Sequence, residues 1–284
     1  MRALVDQDIF SPIRESIQSF ARTISRGNKK ILLTSKPTLE GALAIAPVEA
    51  ALLDSRIPYR RSFSDIAPDS EPYIRISDSN EIVKSGLIGI SLSTIIVEGL
   101  RGRFGDSRKG PLSTVAQAHA LASEINPLSP RLRKMRPWAI SGNWINDALD
   151  TTYDPVYSFL RDYLSAEGSI RVVPITEVQE FDAKNYFWIN PTKINSASKL
   201  WPESDLEGRE KIMKELIEPV LFSNSPSTSR IEELLWHCVL GTGWETDLAS
   251  QISFATLNWE IKKPMKSASL LADSLLSRGR IIRS

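Results

Sequence analysis

Hydrophobic residues at the start of the chain recur at the spacing of a helix and then gather in a short run. Four of them stand four, three and four residues apart within residues 12–26, separated by polar and charged residues: Ile13, Ile17, Phe20 and Ile24. This period predicts an amphipathic helix that ends at Gly27. The uninterrupted apolar run at residues 31–33, which has polar residues on both sides, is typical of a strand buried on both faces.

The next segment predicts a second helix and a second strand. Thr38 is placed to cap a helix, and Glu40 stands in its first turn, where a carboxylate suits the positive end of the helix dipole. Residues 41–53 are rich in Ala, Leu, Ile and Val, which suits a helix packed on a sheet. Pro47 is expected to kink or restart that helix. Because extended structure resumes at residues 57–59, the pattern predicts a strand–helix–strand opening.

The rest of the chain predicts an α/β fold in which the pattern of strands and helices changes near the middle. Further strands are predicted at residues 73–76, 87–90, 170–173, 186–189 and 254–261. Further helices are predicted at residues 93–100, 111–125, 138–149, 153–164, 207–221, 231–240 and 266–277, and loops at residues 101–110 and 195–204. We expect a parallel-sheet α/β domain with flanking helices over residues 1–136, a helical linker over 137–168 and a smaller α+β domain over 169–284.

Composition and charge narrow the choice of function only slightly. A hydrophobic content of 42% with 24% charged residues is ordinary for a soluble globular protein. The net charge is +1, so a site for nucleic acid has to come from local clustering of charge. The single cysteine, Cys238, cannot form an internal disulfide, and there is no apolar run of about 18 residues. These features predict a cytoplasmic chain with no membrane partner.

Residues 35–41 carry the clearest motif. They read Ser-Lys-Pro-Thr-Leu-Glu-Gly and are followed by the Ala-rich helix and by Arg-Ile-Pro-Tyr at residues 56–59. This arrangement resembles the DHH phosphoesterase superfamily, which includes the RecJ nucleases and has Ser-His-x-Asp-x-Asp-Gly at this place. Ser35 and Gly41 match that pattern. Three other residues stand where the family has a metal-binding histidine and two aspartates: Lys36, Thr38 and Glu40.

Other metal ligands of the family are also missing or displaced. The resemblance places a further aspartate at the end of the third strand, where Asp78 is the candidate, and an Asp-His-His triplet where this chain has Ser91-Leu92-Ser93. The whole chain has two histidines, His119 and His237. A manganese site needs carboxylate and imidazole ligands in one open cluster. The resemblance therefore implies a RecJ-like protein without the nuclease centre, with no metal, cofactor or catalytic residue.

The resemblance also implies a role. The best-known inactive RecJ-like branch comprises relatives of the replication factor cell division control protein forty-five, found in archaea and eukaryotes. These proteins bind the GINS complex and the MCM helicase ring in the replicative helicase. The small size of this chain points to the archaeal type. The alternative interpretation is an ordinary α/β domain whose strand–turn–helix carries Ser35 and Gly41 without any such relationship.

A basic segment suggests contact with nucleic acid. Residues 101–136 hold eight Lys or Arg and two Asp or Glu, a local charge of +6. Glycines and Phe104 lie among the basic residues, and such a mixture suits a phosphate backbone with a stacking base. The residues expected to bind single-stranded DNA are Arg101, Arg103, Arg108, Lys109, Arg131, Arg133, Lys134 and Arg136. The alternative is a solvated loop and helix end.

Two other functions stay open at this point. The first is a divalent-metal-dependent phosphoesterase or nuclease with an altered active site, in which Lys36, Glu40 and Asp78 converge at the carboxyl ends of the parallel strands. The second is a simple single-stranded nucleic-acid-binding module that uses the basic segment.

Overall fold

The computed structural model describes residues 3–27, 29–64, 66, 68–69, 72–77, 88–101, 107–146, 148–151, 153–221 and 226–281. Its strands are β1 (Ile31–Ser35), β2 (Tyr59–Phe63), β3 (Tyr73–Ile76), β4 (Gly89–Leu92), β5 (Ile95–Arg101), β6 (Ser107–Leu112), β7 (Ile170–Val173) and β8 (Cys238–Gly241). Its helices are α1 (Arg14–Arg26), α2 (Leu39–Asp54), α3 (Thr114–Ile125), α4 (Pro130–Met135), α5 (Ser141–Ile145), α6 (Ala148–Thr151), α7 (Pro155–Ala166), α8 (Pro191–Leu200), α9 (Leu206–Ile217), α10 (Thr228–Leu235), α11 (Leu248–Leu257) and α12 (Pro264–Arg278).

A four-stranded parallel sheet forms the centre of the first half of the chain. Its order is β2-β1-β3-β4, and Leu33 of β1 lies between Arg61 of β2 and Ile74 of β3. Leu33 and Ile74 are fully buried, as short apolar strands in a parallel sheet require. Parallel neighbours need a crossover connection, and α2 supplies it between β1 and β2. The predicted mixed α/β class and strand–helix–strand opening are confirmed.

Helices α1 and α2 follow the predicted pattern closely. Of the four hydrophobic residues that recur at helical spacing, three lie in α1 and are buried: Ile17, Phe20 and Ile24. Residues from Gly41 to Leu52 of α2 are all buried, because α2 contacts β1 and β3 and also packs against α3 and α12. The helix runs through Pro47 without a restart, since tertiary packing on every side outweighs the lost backbone hydrogen bond.

The segment after β4 corrects two predictions. Residues 93–100, expected as a helix, contain β5, and the expected loop at residues 101–110 contains most of β6; these strands pair antiparallel. Consecutive β-branched residues favour a strand here, and burial alternates from exposed Ile96 to buried Val97. The register shifts between Glu98 and Leu100, which marks a bulge at Gly99. The strand expected at residues 87–90 lies two residues later, as β4.

In the second half of the chain, helix caps and the spacing of buried residues explain most differences between the predicted and the observed elements. The expected loop at residues 195–204 contains α8 and the 3₁₀ helix Trp201–Glu203; Asn190 caps α8 by accepting a hydrogen bond from Thr192 N–H. The first half of the strand expected at residues 254–261 is the end of α11, whose Leu248, Ile252 and Ala255 are buried at helical spacing. The strand expected at residues 186–189 is also wrong. Those residues follow or end the 3₁₀ helix Ala183–Tyr186.

The remaining predictions of this half are closer to the structure. Strand β7 is confirmed and pairs antiparallel with β8. Strand β8 begins within the helix expected at residues 231–240, because α10 ends at Leu235 and the chain turns extended at the β-branched Val239. Asp154 caps α7 as its sequence context predicts. The helix expected at residues 138–149 is divided among the 3₁₀ helix Arg136–Ile140, α5 and part of α6.

The buried side chains form one continuous cluster that draws on both halves of the chain. Helix α12, near the C-terminal end, packs against α2 of the parallel-sheet region, and its Ala268 and Ala272 are fully buried. The division into residues 1–136, 137–168 and 169–284 stays a prediction. Within the described ranges, every helix falls short of the length or apolar character that crossing a membrane requires.

Candidate functional site

The motif at residues 35–41 forms a tight turn between β1 and α2. The Thr38 side chain caps α2 by accepting a hydrogen bond from Gly41 N–H at 3.0 Å. A Cβ atom at Gly41 would lie 2.3 Å from Ser35 Oγ and 2.4 Å from the Lys36 carbonyl oxygen. These distances are far shorter than van der Waals contact, so the turn excludes every side chain at this position. Ser35 and Gly41 thus have a shared structural role.

Glu40 joins the starts of two helices. The hydroxyl of Thr114 in the first turn of α3 donates a hydrogen bond to Glu40 Oε1 at 2.7 Å. Both groups lie near helix amino-terminal ends, where the backbone dipole favours a carboxylate. Glu40 is therefore part of the packing between α2 and α3. Lys36 is half-buried and follows β1 directly.

The structure describes only part of the predicted catalytic alternative. Asp78 lies outside the described residues, so its place beside Lys36 and Glu40 stays a prediction. Among the described residues, no group of three or more His, Cys, Asp and Glu could hold a metal ion. His119 is fully buried in α3, and His237 Nδ1 lies 2.9 Å from the Arg161 guanidinium. Neither histidine is near the motif in sequence.

The predicted basic residues separate into three groups. Arg103 lies outside the described residues, and Arg101 ends β5 with its side chain also outside them. Arg108 and Lys109 are exposed on β6. The third group lies on or directly after α4: Arg131, Arg133, Lys134 and Arg136. Of the eight predicted residues, the structure thus describes the side chains of six, two on β6 and four on or directly after α4.

Arg131 is occupied by a structural ion pair. Its guanidinium contacts Asp54 at the end of α2, and the Ser129 hydroxyl donates to the same carboxylate at 2.6 Å. Partial burial opposes the charged form of Asp54, but the hydrogen bonds from Ser129 and Arg131 and the positive charge of Arg131 hold its pKa below the ordinary value. Arg131 therefore fastens α4 to α2.

Leu132, Arg133 and Lys134 of α4 face a large cleft. Its volume is about 980 Å³, at the upper end of the range for small-molecule sites, about 300–1,000 Å³. Its wall comes from the chain start, the ends of α3, α7 and α12, part of α4 and the turn after β8. The charged lining residues are Arg133, Lys134, Arg136, Arg278, Arg280, Glu124 and Glu167. We call this space the basic cleft.

A glycine lets α12 end against α4. Gly279 has φ +70°, in the left-handed region that terminates helices. A Cβ atom there would lie 2.6 Å from Lys134 Cβ and 2.9 Å from the Lys134 carbonyl oxygen. The Trp138 indole N–H also donates to the Gly279 carbonyl at 2.9 Å. This close contact places Arg278 and Arg280 beside Lys134.

The turn after β8 is fastened to the same place. The Trp138 and Trp244 rings lie 5.3 Å apart, tilted by 50°, in a geometry that favours aromatic pairs. Arg280 donates from Nη1 to the Gly243 carbonyl at 2.9 Å. The cleft wall is therefore held by packed rings and charged hydrogen bonds that link segments distant in sequence.

The carboxylates in the wall do not neutralise the cleft. Arg136 donates to both Glu167 oxygens, at 2.7 and 3.2 Å. Burial opposes ionisation of Glu167, but Arg136 outweighs it and holds the pKa below its ordinary value. For Glu124, burial and then the charge of Asp6 raise the pKa. Because Arg136 and Glu167 cancel, four basic side chains face one carboxylate.

Two of those four residues were absent from the sequence prediction. Arg278 and Arg280 lie near the C-terminal end, far along the chain from α4, and no local pattern connects the two segments. In the Arg-Gly-Arg sequence at residues 278–280, the glycine is typical of a helix end, and nothing in the sequence indicates a binding site. A scan against protein-family models and a search of curated protein sequences return no match to this chain.

Proposed function

We propose that this chain is a non-catalytic RecJ-like replication factor, a relative of cell division control protein forty-five that binds GINS and the MCM helicase. The observation that carries this proposal is the structural use of the motif residues. Thr38 caps α2, and Glu40 accepts the Thr114 hydroxyl. At the family's metal-ligand positions, Thr38 thus stabilises the start of α2 and Glu40 joins α2 to α3.

The chemistry of the turn favours binding over catalysis. A two-metal phosphoesterase needs several anionic or imidazole ligands that point into one open space. Here a lysine and a threonine replace two of those ligands, and the remaining carboxylate is part of a helix–helix contact. The parallel sheet that opens with β1, α2 and β2 is compatible with a DHH-like domain and supports the family assignment without requiring an active site.

The test is association with GINS from the same organism. Size-exclusion chromatography with light scattering should give co-elution at a defined stoichiometry when the two are mixed at tens of micromolar. Addition of the MCM ring should then give a larger complex. The matched control is the same chain with Glu40→Gln, which keeps the shape of the motif and should co-elute equally well.

The outcome that contradicts the proposal is separate elution together with manganese-dependent cleavage of a single-stranded oligonucleotide. Loss of that cleavage in Glu40→Gln would assign the activity to the motif. Such a result would establish the phosphoesterase alternative, in which Glu40 serves as a ligand despite its contact with Thr114.

A second candidate function, binding of single-stranded nucleic acid, is favoured by the β5–β6 hairpin. Arg108 and Lys109 are adjacent and exposed on β6, so both cations are accessible to a phosphate backbone. Affinity for an oligonucleotide should fall steeply with salt, and Arg108→Ala with Lys109→Ala should weaken it equally for different base sequences. Binding that is insensitive to salt would exclude this candidate.

A further inference from the structure

The basic cleft is separate from the motif turn and from the β5–β6 hairpin. It is lined by none of the motif residues Ser35, Lys36, Thr38, Glu40 and Gly41, and by neither Arg108 nor Lys109. Neither the motif turn nor the hairpin therefore explains why five cations line a space of about 980 Å³ in a chain whose net charge is +1. Like charges in proximity repel one another and destabilise the fold unless they are compensated.

Three of these cations have no compensation within the described part of the chain. Arg133, Lys134 and Arg278 are exposed, and none of them makes an ion pair with a described residue. Arg280 uses Nη1 on the Gly243 carbonyl, and its remaining N–H groups can serve another acceptor. Arg136, by contrast, is paired with Glu167 and acts as part of the wall.

The wall fixes the backbone segments that carry these cations. Gly279 brings the end of α12 into contact with Lys134, while Trp138 fixes Gly279 through its indole N–H. The backbone that carries these cations is therefore fixed before an anion binds, and only the exposed side chains lose conformational freedom on binding. The Arg fork also matches phosphate oxygens in a bidentate geometry.

The wall favours recognition of phosphates over recognition of a base. Trp244 is packed on Trp138 and is only 8% exposed, so little of its ring is available for stacking. Tyr163, the other aromatic residue of the wall, is half-buried and hydrogen-bonded to Glu167 and Arg136. Sequence-tolerant binding of single-stranded nucleic acid relies on such accessible aromatic faces. Four cations from two distant segments that face one common space instead suit several adjacent negative charges on a compact molecule.

We propose that the basic cleft binds a small polyphosphate, either inorganic or attached to a nucleoside. Arg133, Lys134 and Arg278 contact the phosphate oxygens, and Arg280 contributes its remaining donors while it holds the turn at Gly243. This proposal is independent of the replication role.

The test is isothermal titration calorimetry of the untagged chain with tripolyphosphate, ATP and inorganic phosphate, at low and at physiological salt. Tripolyphosphate and ATP should bind, and inorganic phosphate should bind much more weakly because it offers one phosphate group. Equal affinity for tripolyphosphate and ATP identifies the phosphate chain as the recognised group. Tighter binding of ATP adds a contact to the nucleoside. Both outcomes support the proposal.

Matched variants locate the site. Arg133→Ala with Lys134→Ala should weaken tripolyphosphate binding about tenfold or more, since charged hydrogen bonds are lost. Arg108→Ala with Lys109→Ala removes the same charge from the hairpin and should leave the affinity within about twofold. Arg133→Lys with Lys134→Arg keeps the charge and should retain most of the affinity. All four positions carry exposed side chains, and circular dichroism melts will verify folding.

Three results would overturn the proposal. The first is no binding of any of the three probes at millimolar concentration. The second is equal weakening by the cleft and hairpin double variants, which would indicate a general charge effect. The third is binding of an oligonucleotide that the cleft variants abolish, with no binding of tripolyphosphate or ATP, because the cleft would then belong to a nucleic-acid surface.

Discussion

His119 lies in the middle of α3, where its side chain is fully buried. Neither ring nitrogen has a hydrogen-bond partner within the described ranges. Burial and then the positive charge of Arg136 hold its pKa well below the ordinary value of 6.5. The ring is therefore neutral in the folded chain at a pH where an unfolded chain would already take up a proton.

This difference predicts a loss of stability in acid. The unfolded state binds more protons than the folded state below pH 6.5, so the free energy of unfolding falls as the pH decreases, by up to about 1.4 kcal/mol per pH unit. Urea unfolding at several values between pH 7.5 and 5 should reveal this slope. In His119→Leu the slope should be smaller, because no proton is taken up at position 119.

Comparison of the parent chain with His119→Leu separates the effect of His119 on stability from the effects of other titrating groups. Asp247 is fully buried, and burial raises its pKa to about 6, so it adds a slope of opposite sign between about pH 4 and 6. Because that contribution is common to both chains, it cancels in the difference. An identical pH dependence in the two chains would show that His119 does not titrate as expected.

At the scale of single elements, local signals predicted the first half of the fold well. The apolar run at β1 and the helical spacing of α1 are short-range patterns, and each one corresponds to an element of the structure. The predictions failed where a partner strand decides the conformation. Residues of β5 and β6 pair with one another, and glycines and charges in that segment resembled a loop.

The cap of α2 gives a prediction at this scale. Thr38→Ala removes the acceptor of Gly41 N–H and should lower the free energy of unfolding by about 1 kcal/mol. Thr38→Asp introduces the residue typical of the nuclease family. Its free energy of unfolding should stay within about 0.5 kcal/mol of the parent value, because aspartate is also a good helix cap. Urea unfolding at neutral pH measures both.

The control for the two Thr38 variants is Thr228→Ala. Thr228 is an exposed residue at the start of α10, where Ser227 provides the cap, so its replacement should change stability by less than about 0.5 kcal/mol. If Thr38→Ala were as stable as the parent, the hydroxyl would not act as a cap. The explanation for threonine at the motif position would then be lost.

At the scale of the whole molecule, α12 connects the two halves of the chain. Arg61 of β2 makes ion pairs with Glu49 of α2 and with Asp273 of α12, both at 2.9 Å. The apolar side of α12, which includes Leu275, is buried. No sequence pattern predicted this contact, because it joins elements that are separated by most of the chain.

Removal of α12 should therefore disturb the parallel-sheet region. A chain that ends after Lys263 exposes the flank of α2, whose residues 41–52 are buried throughout, and the apolar surface so exposed is unfavourable in water. We expect this chain to lose cooperative thermal unfolding by circular dichroism, whereas the full chain retains it. A cooperative transition at the parent temperature would show that residues 1–263 fold independently of α12.

Both ends of the described chain reach the same place. Ala3 and Leu4 line the basic cleft together with Arg278 and Arg280. Any sequence fused to either end therefore begins close to the proposed phosphate site. A polyhistidine tag would bring its own cations to the mouth of the cleft, and an acidic tag would compete with the ligand. Purification tags on this chain should be cleaved off, or inserted in an internal surface loop, before affinity for anions is measured.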